Sequence, residues 1–133
     1  MSGSRYAKNA GAVFSLKYHL VWCPKYRRPV LTAPVDTRLK ELLAEIASEH
    51  GMTILTSEVM PDHVHLFLEA NPTLCVAEIA NRLKGRTSHA LRGEFPSLRS
   101  RLPTLWSRSY FAASVGAVSE STIRRYIEAQ KGV

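Results

Sequence analysis

Residues 58–70 read EVMPDHVHLFLEA. Pro61-Asp62 marks a tight turn between two extended runs, MTILTSEVM (52–60) and HVHLFLEA (63–70). Side chains on a strand alternate faces, so Val64, Leu66 and Leu68 share one side and His63, His65 and Phe67 share the other. The aliphatic side belongs under helices, which leaves the histidine side open. His63 and His65 then stand about 6–7 Å apart along the strand, twice the rise per residue. That spacing suits two neighbouring ligands of one metal ion, and it equally suits two polar residues on a wet sheet face. The pair alone leaves both readings open.

Outward from this hairpin, the flanking sequence supplies the rest of a sheet. VFSLKYHLVWC (13–23) alternates, with Phe14, Leu16, Tyr18, Leu20 and Trp22 on one side, and predicts a strand. Pro24 and Pro29 bracket a loop. VDTRLKELLAEIASEH (35–50) puts Leu39, Leu42, Leu43 and Ile46 at helical spacing, with Gly51 as a C-terminal stop. Asn71-Pro72-Thr73 opens a second helix with Thr73 as N-cap. Its apolar stripe is Val76, Ile79, Ala80, Leu83 and Leu91, interrupted by Gly85. A basic loop from Gly93 to Pro103, a fourth strand over 105–115 and a last helix over 119–130 capped by Ser119 complete the chain. The order β-α-β-β-α-β plus a C-terminal helix predicts an α+β, ferredoxin-like (RRM-like) fold: an antiparallel sheet with helices on one face. Residues 1–12 are expected as a flexible arm and 13–133 as one domain.

At 133 residues the chain is long enough to bury a core. No apolar run approaches the roughly 18–20 residues a membrane span needs, and MSGSRYAKNAGAV lacks the apolar core of a signal peptide. A soluble cytoplasmic protein with no membrane partner is expected. Cys23 and Cys75 are too few for a disulfide framework and are expected as reduced packing thiols. Eighteen Lys and Arg against eleven Asp and Glu favour a polyanionic partner. The excess is concentrated: Arg82 to Arg108 carries seven basic residues and one acid, and CPKYRRP (23–29) sets Lys25, Arg27 and Arg28 around Tyr26.

The last helix offers candidates for a reacting group and a third ligand, and the same two side chains suit plain packing and solvation. Tyr126 and Gln130 are four residues apart and share a face, while Ile123 and Ile127 form an apolar edge for docking. Four blocks, YHLVWCPKYRRPVL (18–31), EVMPDHVHLFLE (58–69), NRLKGRTSHALR (81–92) and LWSRSYFAASVGAVSESTIRRYIEAQ (105–130), occur together and in order. On these blocks the chain resembles the single-tyrosine HUH transposases of small bacterial insertion sequences, the IS200-like family. HUH denotes His, hydrophobic residue, His, here His63-Val64-His65.

The resemblance implies a ferredoxin-like catalytic domain that cleaves and rejoins single-stranded DNA through a 5′-phosphotyrosine. It makes Tyr126 the nucleophile and His63, His65 and Gln130 the ligands of Mg²⁺ or Mn²⁺, with Asp62 as an alternative or outer contact. No nucleotide cofactor is implied, because the phosphodiester energy is kept in the covalent bond. The implied partners are hairpins at transposon ends and a second copy of the chain, whose tyrosine helix can complete the site in trans. Lys25, Tyr26, Arg27, Arg28, Arg82, Lys84, Arg86 and Arg92 are the expected DNA contacts. A bacterial or archaeal host, with activity at the nucleoid, follows from the same resemblance. The chain lacks the added segments of domesticated tyrosine transposases that act at extragenic palindromes, so the insertion-sequence reading is preferred. The alternatives are that domesticated activity, a metal-dependent nuclease that uses water, and a non-catalytic RRM-like module for single-stranded nucleic acid.

Overall fold

The computed structural model describes residues 7–9, 12–14, 16–114 and 120–131. Two short strands, β1 (Ala7–Asn9) and β2 (Ala12–Phe14), pair antiparallel with each other. They are followed by β3 (Lys17–Trp22), α1 (Val35–Glu49), β4 (Thr53–Met60), β5 (His63–Glu69), α2 (Val76–Glu94), α3 (Pro96–Arg101), β6 (Phe111–Ser114) and α4 (Glu120–Ala129). The four longer-range strands form one sheet in the order β4-β5-β3-β6, and every pairing in it is antiparallel. This is a mixed α/β domain built on a four-stranded antiparallel sheet.

Register fixes which residues share a side. Leu20 sits opposite Leu66 and Trp22 opposite Val64, so these four point together. With Leu68 they meet Leu39, Leu43 and Ile46 of α1 and Ile79, Leu83 and Leu91 of α2 in one core, sealed from water. The expected stripes of both helices are the buried ones. Gly51, at φ +68°, ends α1 in the left-handed region that glycine enters without a Cβ penalty. On β4 the register shifts between Ile54 and Thr56, so Leu55 is an extra residue, exposed on a bulge.

Several expectations are corrected. The strand read over 13–23 is two pieces, because β5 ends at Glu69 and the last bond of this pairing runs from the Ala70 amide to the Leu16 carbonyl. The segment before it pairs with β1 instead. Thr73 does not cap α2. Its N–H and hydroxyl both donate to the Asn71 side chain, and the helix begins three residues later, where Glu78 accepts from the Cys75 amide at 3.3 Å. The basic loop from Gly93 to Pro103 is mostly helical: α2 runs on to Glu94, and α3 starts on Pro96, whose missing N–H costs nothing there. Buried Leu98 and Leu102 hold that turn down.

Only Phe111–Ser114 of the expected fourth strand is a strand among the described residues. Leu105 to Ser109 cross the end of β3, with Leu105 accepting from the Lys25 amide and the Ser107 amide donating to Cys23. Cys23 is a buried packing thiol as expected, whereas Cys75 is exposed. The Ser119 cap lies outside the described residues. No described helix is long and apolar enough to cross a membrane.

Candidate functional site

The second side of the sheet was expected to be free, and α4 lies across part of it. Ile123 and Ile127 of α4 face His19, His63 and His65 across a cleft that Arg27, Glu58 and Asp62 also line. The apolar edge predicted for the last helix therefore faces this cleft. Beneath it, Val64, Leu66 and Leu68 are sealed while His63, His65 and Phe67 are only half-buried, as the alternation requires.

Each histidine of the pair is braced by a carboxylate. The β4–β5 turn sets Asp62 beside its neighbour, with Oδ1 2.9 Å from His63 Nδ1. Cross-strand pairing sets Glu58 opposite His65, with Oε1 3.3 Å from Nδ1. A carboxylate at Nδ1 fixes the tautomer that leaves Nε2 with its lone pair, the form a metal ligand needs. Burial, with His19 adding to it, pushes His65 below its ordinary pKa, against the pull of Glu58. The imidazole is held neutral at pH 7.

His19 is a member of this cluster that sequence reasoning missed. It lies on β3 opposite Phe67, stacks on that ring at 5.0 Å between centroids, and places Nδ1 3.0 Å from His65 Nε2. The signal was present: His19 has the opposite parity to Tyr18 and Leu20. Using it required knowing that β3 and β5 are neighbours.

Tyr126 and Gln130 share a face, as their spacing predicts, and both are hydrogen-bonded to the segment at Ser107 and Ser109. The Tyr126 hydroxyl is 2.8 Å from Ser109 Oγ, and Gln130 Oε1 accepts from Ser109 at 2.8 Å and from Ser107 at 3.3 Å. Burial pushes the phenol up to about 12, partly opposed by the Ser109 bond. Lys84 fixes the receiving segment: its ammonium donates to the carbonyls of Ser107 at 2.8 Å and Ser109 at 2.9 Å. Burial lowers the Lys84 pKa.

The chemistry of the histidine donors fits a divalent ion that accepts nitrogen, Mn²⁺ more readily than Mg²⁺. The predicted set is not assembled, however, because Gln130 is buried against Ser107 and Ser109. Among the described residues no three His, Cys, Asp or Glu side chains are arranged to hold a metal ion. The structure brings His63, His65 and Asp62 together, and it holds Tyr126 with Gln130 as a second group.

The expected DNA contacts also divide. Tyr26 and Arg28 are exposed, and Lys25 Nζ lies 5.1 Å from the centre of the Tyr26 ring. Arg27 turns inward, with Nε 3.1 Å from Asp62 and Nη1 donating to the Ile127 carbonyl at 3.1 Å and to Glu128 at 3.0 Å. It ties the turn before His63 to the end of α4. Lys84 is likewise engaged within the fold. Arg82 meets His50, Arg86 pairs with Glu49, and Arg92 donates to the Leu102 carbonyl, so these three brace the α1 and α2 side.

The structure thus joins a four-stranded antiparallel sheet, a histidine pair on one of its strands and a helix carrying Tyr126 laid over part of the same side. The profile described as "Transposase IS200 like" matches residues 12–130, and the chain belongs to that family. It is 40% identical over 125 residues to the ISDra2 transposase TnpA of Deinococcus radiodurans, across 92% of this chain and 89% of the relative. The transposase for insertion sequence element IS200 of Salmonella typhimurium is 30% identical over 119 residues, across 88% and 78%. A solved candidate transposase from Deinococcus radiodurans superposes with a TM-score of 0.87 at 37% identity, across 96% of this chain and 99% of that one. A REP-associated tyrosine transposase solved with a REP hairpin shares the fold, with a TM-score of 0.58 at 12% identity, across 92% and 68%.

Proposed function

We propose that this transposase is a metal-dependent tyrosine enzyme that cleaves and rejoins single-stranded DNA at insertion-sequence ends, with Tyr126 as nucleophile. The observation that carries the reading is one sheet face bearing two carboxylate-braced histidines beneath a helix that presents Tyr126 and Gln130 on a common side. In this reading the strand order β4-β5-β3-β6 is that of a ferredoxin-like split β-α-β unit.

Tyr126 Oη attacks the scissile phosphorus. A P–O bond forms to the phenol, giving a 5′-phosphotyrosine, and the bond to the 3′ oxygen breaks. That oxygen leaves as a 3′-OH. Attack by another 3′-OH reverses the step on a new strand, so no nucleotide cofactor is consumed. A divalent ion held by His63 and His65 would offset charge developing on the phosphate. A phenol held near 12 and turned to Ser109 is a resting nucleophile. Chemistry therefore requires α4 to leave Ser109, and the same movement frees the Gln130 amide. In a homodimer each released helix would complete its partner's histidine site, which matches one tyrosine per protomer with two strand cleavages.

The loop at Tyr26 suits DNA capture. Tyr26 and Arg27 have φ of 60° and 53°, a left-handed conformation that is strained for residues other than glycine and recurs at binding sites. It presents an exposed ring for base stacking beside Lys25 and Arg28. Hairpins near the element ends are the expected substrate. A non-catalytic RRM-like module would need bare aromatics on the two central strands. Here Phe67 is stacked under His19 and Val21 is sealed.

Covalent capture tests the proposal. Incubated with Mn²⁺ and single-stranded hairpin DNA from the element ends, the protein forms an adduct that survives denaturation, and Tyr126→Phe forms none. An adduct in Tyr126→Phe removes the nucleophile assignment. Cleavage with no adduct in the wild type assigns the attack to water instead.

A further inference from the structure

Arg27 lines the same cleft as His63 and His65. Two successive left-handed residues turn the Tyr26 ring out to solvent and the Arg27 side chain in, to 14% exposure. There the guanidinium holds Asp62 on Nε at 3.1 Å, and on Nη1 the Ile127 carbonyl at 3.1 Å and the Glu128 carboxylate at 3.0 Å. A carbonyl from the last turn of a helix and a carboxylate, side by side on one guanidinium nitrogen, imitate two oxygens of a phosphodiester. The carboxylates of the cleft are not equivalent. Asp62 and Glu58 each face a histidine. Glu128 faces the guanidinium, with 58% of its side chain exposed. The Arg27 hydrogen bond holds the Glu128 carboxyl below its ordinary pKa, so it is charged at neutral pH. With Glu58, Asp62 and Glu128 against Arg27 and Arg124, the lining carries more acid than base. A phosphate therefore enters this cleft more easily once one carboxylate has left, and an exposed ion pair yields readily to a polyanion.

We propose that Arg27 is the phosphate-binding residue of this cleft, and that Glu128 occupies it in the absence of DNA as an internal substitute for the phosphate. The assignment rests on the strand-cleavage reading above and deepens it. DNA entry exchanges one oxyanion for another on Nη1, while Nε keeps Asp62 and so holds the turn before His63 in place. The exchange also drops the Ile127 carbonyl and cuts a tether on the end of the helix that carries Tyr126. Arrival of the substrate strand and loosening of the nucleophile's helix become one event. Without DNA, Tyr126 stays on Ser109.

The experiment measures binding of the full chain to hairpin DNA with its single-stranded flank, in chelator so that nothing is cut. Glu128→Gln is expected to bind about threefold or more tightly than wild type, and Arg27→Ala about tenfold more weakly. The double variant should match Arg27→Ala, because Glu128 acts through that guanidinium alone. A Glu128→Gln that binds no more tightly than wild type overturns the proposal. So does a gain of the same size in the Arg27→Ala background, which would be a general loss of negative charge. Glu41→Gln supplies that control if Arg27→Ala fails to fold, since Glu41 is an equally exposed carboxylate paired with Arg38 on α1. An equal gain in Glu41→Gln overturns the assignment, and an unchanged affinity there supports it. Binding in chelator needs no nucleophile, so a Tyr126→Phe that still forms an adduct would remove the reading above and leave these affinities as they are.

Discussion

The side of the sheet under α1 and α2 and the side under α4 use the same strands for opposite purposes. On the first, Leu20, Val64 and Leu66 are wholly buried among aliphatic neighbours. On the second, His19, His63 and His65 are half-buried, and their ring nitrogens are engaged by carboxylates and by one another. Period-two alternation lets a strand carry stability at one residue and chemistry at the next without compromise between them. Leu66 and His65 are adjacent in sequence and belong to different problems.

That contrast breaks most visibly at those two positions. Leu66→Ala should lower unfolding free energy by about 2–5 kcal/mol, because it leaves a cavity in a sealed core. His65→Ala should cost at most about 1 kcal/mol in denaturant melts while slowing strand cleavage by about 10²-fold or more. Equal stability losses for the two would mean that the histidine side is structural.

A smaller effect is expected from Arg27→Ala, which cuts the link between the turn before His63 and the end of α4. It should cost about 1–2 kcal/mol and speed hydrogen exchange of the α4 amides. Unchanged exchange there would show that Ile123 and Ile127 hold the helix alone. Next comes a pH effect. The Tyr126 phenol ionises near 10 when unfolded and near about 12 when folded, so across that window the folded state holds more protons. Stability should fall as pH rises through it, and Tyr126→Phe should lessen that slope in melts against pH. The smallest change belongs to the outer surface of the helical side. Arg86→Ala removes an exposed pair with Glu49 and should leave the denaturant midpoint almost unchanged.

Local pattern made much of this legible. The alternation of 63–69, the stripe of α1, the stop at Gly51 and the shared face of Tyr126 and Gln130 each depend on neighbours a few residues away. What local pattern could not carry was long-range pairing. Residues 105–110 read as strand, yet Lys84 captures the Ser107 and Ser109 carbonyls from 23 and 25 residues away and bends that segment across the end of β3. Gly93, Pro96 and Pro103 read as loop punctuation, whereas burial of Leu98 and Leu102 in the core holds the segment as a helix. The basic residues were all visible. Which of them turn inward, as Arg27 and Lys84 do, depended on partners supplied by other elements.

The two edges of the sheet differ in how they expose their backbone. β4 is the longest strand of its sheet and lies at an edge, where unpaired backbone groups invite another chain to extend the ladder. The extra residue at Leu55 breaks the even spacing of those groups and twists the edge away from flatness. The opposite edge, β6, has four residues among those described. Both flanks are thus poor templates for indiscriminate stacking. For the homodimer proposed above, this removes the cheapest wrong pairing of two copies.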